Sequence, residues 1–377
     1  NKIFISISNK KIKDLNYLGK YSKKYLTSIN NIEEDENFLY SFYKIDQSKI
    51  NKISILNQIK NNDFKFENDF SAFILFKKTG KTFFIRDKFG QIPIYYFKNK
   101  DYFIITDDPR LINQYNILTI EPDLYQNALF VGSHYRYHYL SNHCSFYKNI
   151  KTLRSGYLVE FYNNKLKTKQ YWKLKIINGN DEKKSDYIYD RFKTLLSNSI
   201  QKKINKNAKN IFTLSSGIDS SSVISLFHYL NKKKVHSVTT TFNEDTEYDE
   251  TLDIKSIKTQ KCSKWSKTVI SKNDVLTHMN KYLKYSPVPF CTITQLLHGI
   301  LLEKIKKKKD ANFCISGLGG DEVNCGEIEE YIFFFADLIN FYDENHNSTF
   351  FKKNLDGWVK NHGTKEYPKS YKILLKE

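Results

Sequence analysis

One stretch limits what this chain can fold into more than any other: Ile211 to Ser222, reading IFTLSSGIDSSS. An apolar β-type run (Ile211, Phe212, Leu214) stops at a loop of small residues, Ser215 to Ser221. An apolar helical run follows from Val223 to Leu230. Strand, tight loop and helix in that order present bare backbone N–H groups and a positive dipole end to an anion. The spacing is neither the G-x-G-x-x-G of a dinucleotide fold nor the G-x-x-x-x-G-K of a Walker loop. Small hydroxyls and one glycine suit a pyrophosphate, and Asp219 adds a carboxylate able to hold Mg²⁺. Taken alone, the same letters also suit an ordinary strand–turn–helix corner.

The length, 377 residues, allows about two or three domains. With 27 Tyr and 28 Phe there is ample material for a core. The five cysteines (Cys144, Cys262, Cys291, Cys314, Cys325) are spread out, odd in number and without a C-x-x-C pair. That usage predicts a reducing, cytoplasmic setting over a disulfide scaffold. No apolar run reaches membrane-spanning length and the start has no signal-peptide layout, so no membrane partner is expected. The formal charge is +19. The excess is lysine scattered from end to end, and arginine, the better fork for phosphates and bases, is sparse; this argues against a nucleic-acid partner. An acidic peptide or a small anion stays open. The densest run, Lys306 to Lys309, is expected to end a helix starting near Gln295.

Residues 1 to about 170 read as strand-rich. Ile3, Ile5 and Ile7 alternate with other residues and predict a half-buried strand. Further strands are expected at Phe70–Phe76, Thr82–Arg86, Ile94–Phe97 and Tyr102–Ile105, with Asp87 to Gln91 turning between the second and third of these. Asp108-Pro109 introduces a helix. Gly156–Tyr162 and Lys165–Tyr171 form a hairpin around Asn163-Asn164. The economical reading is an antiparallel, partly two-layered β domain. The first residue given is Asn1, which has no nucleophile for N-terminal catalysis; a processed leading cysteine would reverse that reading.

A polar linker, Asn178 to Ser185, separates the halves. Tyr187–Ile200 has a helix pattern, Val235–Phe242 a strand pattern, and Glu247 to Glu250 open a helix running towards Lys264. Trp265–Ile270 is the next strand, and Asn273-Asp274 cap the next helix. Alternation of strand and helix predicts a parallel sheet. Phe313–Ser316 is a further strand ending in Gly317, Leu318, Gly319, Gly320, Asp321 and Glu322. Glycines at a strand end permit close backbone approach, and ligands of open parallel sheets sit beyond the carboxyl ends of strands. Asp219 and Asp321 both lie at such ends, a plausible Mg²⁺ cradle, although charged loop residues are the plainer alternative.

These motifs together resemble the asparagine synthetase and β-lactam synthetase superfamily, which includes the lasso-peptide macrolactam synthetases. The family pattern LSGGLDSS is similar to Leu214-Ser215-Ser216-Gly217-Ile218-Asp219-Ser220-Ser221. SGEGADE is similar to Ser316-Gly317-Leu318-Gly319-Gly320-Asp321-Glu322. RDRFGIKPLYY is similar to Arg86 to Tyr96, here RDKFGQIPIYY. Phe146 to Trp172 resembles the family's domain junction, and Tyr248-Asp249-Glu250 also matches. The resemblance implies an α+β N-terminal glutamine-amidohydrolase-like β sandwich over 1–177. It implies an α/β adenine-nucleotide α-hydrolase-like domain with a parallel sheet over 185–377, shortened at its end.

It further implies ATP and Mg²⁺ as cofactors. A carboxylate is adenylated, pyrophosphate leaves, and an amine attacks. Asp219 and Asp321 would hold Mg²⁺. Leu214, Ser215, Ser216, Gly217, Asp219, Ser220 and Ser221, with Thr241, Gly317 and Gly319, would bind the nucleotide. Lys372, in a segment similar to the family's K-x-x-L-R, would join Asp219 and Asp321 as a catalytic residue.

The departures from the family pattern choose among branches. A glutamine-dependent asparagine synthetase begins with a nucleophilic cysteine, and the sequence given begins with Asn1, so ammonia from glutamine is not expected. Leu318 stands where asparagine synthetases carry glutamate and has no proton to exchange; His298, Glu322 or a substrate group could deprotonate the amine instead. The chain after Asp321 is short, with an aromatic helix pattern at Glu330–Tyr342. That ending allows for a degenerate domain, a partner protein that completes it, or a wide site suited to a peptide. The leading expectation is a ligase joining an internal amine to a carboxylate, most concretely a peptide macrolactam synthetase. An ammonia-dependent asparagine synthetase-like enzyme and a non-catalytic scaffold subunit are the alternatives.

Overall fold

The computed structural model describes residues 3–324 apart from 10, 14, 22–23, 30–31, 44–49, 67–69, 133–143, 176–184, 205–208, 243–253, 291, 308–310 and 312; beyond 324 it describes 336, 356 and 357. The expectations for Tyr248 to Glu250, the Glu330–Tyr342 helix and Lys372 lie outside the described residues. The chain divides into two compact units, one of Asn1–Asn210, Thr240–Thr246 and Thr268–Phe313, the other of Ile211–Thr239, Glu247–Lys267 and Cys314–Glu377.

The first part of the chain runs β1 (Phe4–Ser8), β2 (Asn16–Tyr21), β3 (Lys24–Ser28), β4 (Glu33–Glu34), β5 (Phe38–Tyr43), α1 (Lys52–Lys60), β6 (Ser71–Phe76), β7 (Thr82–Ile85), β8 (Tyr95–Lys98) and β9 (Tyr102–Thr106). It continues through α2 (Arg110–Gln114), α3 (Leu124–Gly132), β10 (Lys151–Thr152), β11 (Tyr157–Tyr162) and β12 (Lys165–Gln170). Two six-stranded sheets result, ordered β10-β8-β9-β1-β3-β2 and β12-β11-β7-β6-β5-β4, and every pairing resolved in them is antiparallel. Ile5, Ile7, Leu26 and Phe103 of one sheet share a core with Phe73, Leu75, Phe84 and Phe161 of the other. Each such fully buried side chain contributes about 2–3 kcal/mol of transfer free energy. α1 covers the far face of the second sheet through Ile55, Leu56 and Ile59, and α2 lays Leu111 and Ile112 on the far face of the first. The expected two-layered domain is thus four layers deep.

That depth corrects the half-buried strand expected around Ile3, Ile5 and Ile7. All five residues of β1 are buried. The isoleucines face the other sheet, while Phe4 packs with Leu111 and Ile112. The hairpin forms as expected, with Asn163 and Asn164 at φ 47° and 57°, the left-handed pair that a tight two-residue turn requires.

Arg86 and Asp87 lock the turn between β7 and β8. The Arg86 guanidinium donates to the carbonyl oxygens of Ile92 (2.9 Å), Gly90 (2.8 Å) and Leu153. The buried Asp87 carboxylate accepts from the Gln91 N–H at 2.8 Å and from the Ser71 hydroxyl at 3.3 Å. Arg86 also offers its own carbonyl to the Tyr171 hydroxyl at 2.6 Å, which ties down the end of the hairpin. Gly156 sits at φ +70°, and a Cβ there would meet the Trp172 carbonyl oxygen at 2.6 Å. Arg86→Ala orphans three carbonyls at once and is expected to cost about 3 kcal/mol, read as a lower urea midpoint with an unchanged slope.

Beyond α4 (Ser185–Lys203) the chain alternates: β13 (Asn210–Thr213), α5 (Ile218–Asn231), β14 (Val235–Phe242), α6 (Lys255–Lys261), β15 (Cys262–Ile270), α7 (Lys272–Tyr285), α8 (Ile293–Lys307), β16 (Phe313–Ile315) and α9 (Gly320–Asn324). The sheet order is β15-β14-β13-β16, with β13 and β14 parallel in the register Phe212↔Ser237. Two boundaries differ from expectation. The helix expected to reach Lys264 stops at Lys261, and β15 starts at Cys262 instead of Trp265. The buried Cys262 thiol accepts the Ser237 hydroxyl at 3.1 Å, and the Ser263 hydroxyl donates to the Val235 carbonyl at 3.2 Å, so β14 claims these residues. The cap of α7 is Ser271, not Asn273. Its hydroxyl accepts the Asp274 N–H at 3.2 Å while the Asp274 carboxylate accepts the Ser271 N–H at 2.9 Å, a capping box.

α7 and α8 are joined by Ile270, Leu296 and Ile300 and by ions. Lys281 donates to Glu303 at 2.5 Å, His278 meets the same carboxylate at 2.7 Å, and Lys304 reaches Asp274 at 3.0 Å. Glu303 is held down to about 2 first by Lys281, then by His278 and Lys307; Asp274 is held down to about 2 by the Ser271 N–H and then Lys304. A carboxylate whose folded pKa is lowered stabilises above its unfolded value and stops doing so as pH falls through the folded one. The stabilisation therefore fades between about pH 4 and pH 2. Glu303→Gln is expected to lower stability at pH 7 by about 1 kcal/mol and to flatten the pH dependence over that window, measured by denaturant unfolding at each pH.

Candidate functional site

The site is built within the second unit, where two loops meet. β13 delivers Leu214 to the first loop, and Leu214 is pinned by its N–H to the Val238 carbonyl at 2.9 Å. The loop hydroxyls turn on one another. The Ser215 N–H donates to the Ser220 hydroxyl at 3.0 Å, the two serine hydroxyls lie 2.9 Å apart, and the Gly217 N–H donates to the Ser215 hydroxyl at 3.2 Å. Ser221 donates back to the Gly217 carbonyl at 2.9 Å. Gly217 is the N-cap of α5 in an extended conformation, with no side chain capping the helix. The first-turn N–H groups are left for something outside the helix, with the positive end of the dipole behind them. Ser216 and Gly217 are exposed at the loop's crest.

The second loop follows β16. Gly317 lies against the first turn of α5 so closely that a Cβ would meet the Ser220 nitrogen at 2.6 Å and the Asp219 carbonyl carbon at 2.7 Å. Gly320 lies on the Asp219 carboxylate, where a Cβ would overlap its carbon and oxygens. Gly319 turns at φ +95° with open space around it, and Asp321 and Glu322 stand in the first turn of α9. The Asp219 pKa is raised first by burial and then by the charges of Asp321 and Glu322, so the three carboxylates repel one another. Among the described residues no three His, Cys, Asp or Glu side chains close into a metal cage. Repelling carboxylates beside a bare helix N-terminus fit a cation that takes its other ligands from phosphate oxygens, the habit of Mg²⁺.

The expected residues Leu214, Ser215, Ser216, Gly217, Asp219, Ser220, Ser221, Gly317, Gly319 and Asp321 therefore lie on these two adjoining loops and their flanks. Thr241 is buried near the carboxyl end of β14. Leu318 is 74% exposed, its N–H near the Ser316 hydroxyl at 3.4 Å, and His298 is exposed on α8. Sequence reasoning passed over Thr239 and Trp265. The Thr239 hydroxyl donates to the Leu214 carbonyl at 2.8 Å and accepts the Trp265 indole N–H at 2.9 Å. The available signal was a run of three threonines, Thr239 to Thr241, in a strand otherwise fit for burial, where each hydroxyl needs a partner.

Two family profiles match the chain: asparagine synthase over residues 191–347 and the glutamine amidotransferase domain over residues 64–172. The first spans the alternating parallel-sheet region and the second most of the antiparallel double sheet. Among curated proteins, the chain is 26% identical over 280 residues to the glutamine-hydrolysing asparagine synthetase 2 of Bacillus subtilis, covering 68% of this chain and 36% of that one. It is 24% identical over 277 residues to a protein of Methanocaldococcus jannaschii provisionally named glutamine-hydrolysing asparagine synthetase 2, covering 72% of this chain and 52% of that one. The chain thus matches between about a third and a half of the length of these relatives. A solved glutamine phosphoribosylpyrophosphate amidotransferase of B. subtilis, complexed with ADP and GMP, aligns at 8% identity over 62% of this chain and 58% of that one. Its TM-score of 0.25 bears no weight. Among the described residues no helix is long and apolar enough to cross a membrane.

Proposed function

We propose that this chain, which belongs to the asparagine synthetase superfamily, is an AMP-forming carbon–nitrogen ligase whose amine is already part of its substrate. The carrying observation is the pair of loops that brings Asp219, with Asp321 and Glu322 acting on it, to the uncapped N-terminus of α5. A substrate carboxylate oxygen attacks the α-phosphorus of ATP and pyrophosphate leaves. The amine then attacks the acyl carbon, AMP leaves, and the amine gives up its proton. Ser215, Gly217, Ser220 and Ser221 cradle the pyrophosphate, while Leu214, Ser216, Gly317 and Gly319 shape the nucleotide site. Asp219 and Asp321 would hold Mg²⁺, which when bound would offset the charge of the departing phosphates. Lys372 supplies a cation to the adenylate. The domain reading that accompanies this is 1–177 as an amidohydrolase-like domain and 185–377 as the synthetase domain.

The finer reading is ring closure within a peptide. Leu318 supports it: the position at which the family resemblance would put a glutamate carries an exposed apolar side chain unable to take a proton from ammonium. The net charge of +19 suits an acidic peptide. The names of the two relatives favour a second reading, asparagine formation, taken here with ammonia as the nitrogen source. Incubation with ATP, Mg²⁺ and either aspartate plus ammonia or peptides encoded beside the gene separates them. A peptide lighter by one water supports ring closure; asparagine moves the protein to the second reading.

A further inference from the structure

We infer that Thr239 and Trp265 are positioning residues that set the orientation of the nucleotide loop. The inference rests on the functional reading above for what the loop binds, but its geometry stands independently.

The Leu214 carbonyl and the Ser215 N–H are the two ends of one peptide plane, the last before the loop turns away from β13. Each end is held by a hydroxyl. The carbonyl accepts from Thr239 at 2.8 Å, and the N–H donates to Ser220 on α5 at 3.0 Å. With both ends fixed, this plane cannot rotate without breaking two hydrogen bonds, and its orientation decides where the chain through Ser215, Ser216 and Gly217 points. Leu214 and Thr239 are both 2% exposed and Ser220 is 8% exposed, so a rotated plane would find little water to replace those bonds.

Trp265 decides which way the Thr239 hydroxyl points. A threonine hydroxyl can donate or accept, but an indole N–H can only donate. Because Trp265 donates to the Thr239 oxygen at 2.9 Å, that oxygen is engaged as acceptor, and its own proton is left for the Leu214 carbonyl. Donor chains of this kind strengthen one another in a low-dielectric interior. Lys258 lies over the Trp265 ring, 4.2 Å from its centre, which adds a cation–π contact to the indole. The contacts run in succession from Lys258 to Trp265, Thr239 and Leu214.

The test is direct titration of the full chain with Mg·ATP by calorimetry, using wild type, Thr239→Ser, Thr239→Val, Trp265→Phe and the double variant, with a melting temperature for each. Thr239→Val is expected to weaken Mg·ATP about 10-fold and Trp265→Phe about 3-fold, in line with losing one buried hydrogen bond and then its orienting donor. Thr239→Ser, which keeps the hydroxyl, should stay within about 2-fold of wild type. Because Trp265 acts through Thr239, Trp265→Phe should add no further loss in the Thr239→Val background. A purely structural role would instead lower the melting temperature of Thr239→Val and Trp265→Phe while leaving the Mg·ATP affinity of the folded variants at the wild-type value. If Thr239→Val fails to fold, the comparison of Trp265→Phe with wild type decides. Wild type that binds Mg·ATP, with foldable variants that bind it equally well, overturns the inference alone. Wild type that binds no Mg·ATP overturns the functional reading and the inference with it.

Discussion

Asp219→Asn is expected to leave a folded chain that forms AMP at least about 100-fold more slowly than wild type, the scale of loss when one preorganised electrostatic contact to a developing charge is removed. The same change should not cost stability. The Asp219 pKa is raised in the fold by burial and by Asp321 and Glu322. A raised acid stabilises only while protonated: its contribution is complete below the unfolded pKa and is lost as pH rises through the folded one. The carboxylate form of Asp219 is therefore disfavoured by the fold, and asparagine removes that charge. The melting temperature without metal should stay level or rise. Adding Mg²⁺ and ATP should raise it for wild type by mass action and leave the variant unmoved. Loss of turnover with an unchanged ligand-induced shift would mean that Asp219 does not hold the ion.

Gly317→Ala is expected to be the most damaging small substitution at the site. Its Cβ would meet the Ser220 nitrogen and the Asp219 carbonyl carbon, both backbone atoms in the first turn of α5. Backbone cannot swing aside as a side-chain tip can, so the two loops must part. A cost of about 3 kcal/mol in unfolding free energy and loss of Mg·ATP binding are expected together. In Gly320→Ala the three nearest atoms to the new Cβ all belong to the Asp219 carboxylate. That group can move, so this variant should keep most of its stability and lose activity by displacing the carboxylate. Gly319→Ala meets nothing, and its cost is the left-handed backbone alone, about 1–2 kcal/mol. Urea unfolding of the three variants should rank Gly317→Ala as least stable; equal stability across the series would contradict the close approach of the loops.

The parts of this site that can be read along the chain are those that lie along the chain. Ser215 to Ser221 and Gly317 to Glu322 are contiguous runs, each closing a strand, and small residues at strand ends have few other uses. The antiparallel double sheet and the alternating region were legible for the same reason, through period and turn residues such as Asn163-Asn164. What escaped depends on pairing across distance. Thr239 and Trp265 look like strand formers until β13, β14 and β15 lie side by side. The burial of β1 on both faces depends on α2 coming back over it, which nothing in the spacing of Ile3, Ile5 and Ile7 announces. Ser271 competes with Asn273 and Asp274 as a cap, and the reciprocal bond to the Asp274 carboxylate decides in its favour. Arg86 belongs to a motif readable in one dimension, but its work of gathering the carbonyls of Gly90, Ile92 and Leu153 is visible only in three.

In the proposed reaction the two loops handle ATP by splitting it between the α- and β-phosphates. The most direct test is to quantify the nucleotide products when the full chain turns over ATP with Mg²⁺ and each substrate mixture. AMP and pyrophosphate in equal amounts, dependent on the carboxylate substrate and lost in Asp219→Asn, are the predicted result. ADP and phosphate as the products, or AMP formed equally well by Asp219→Asn, would contradict it.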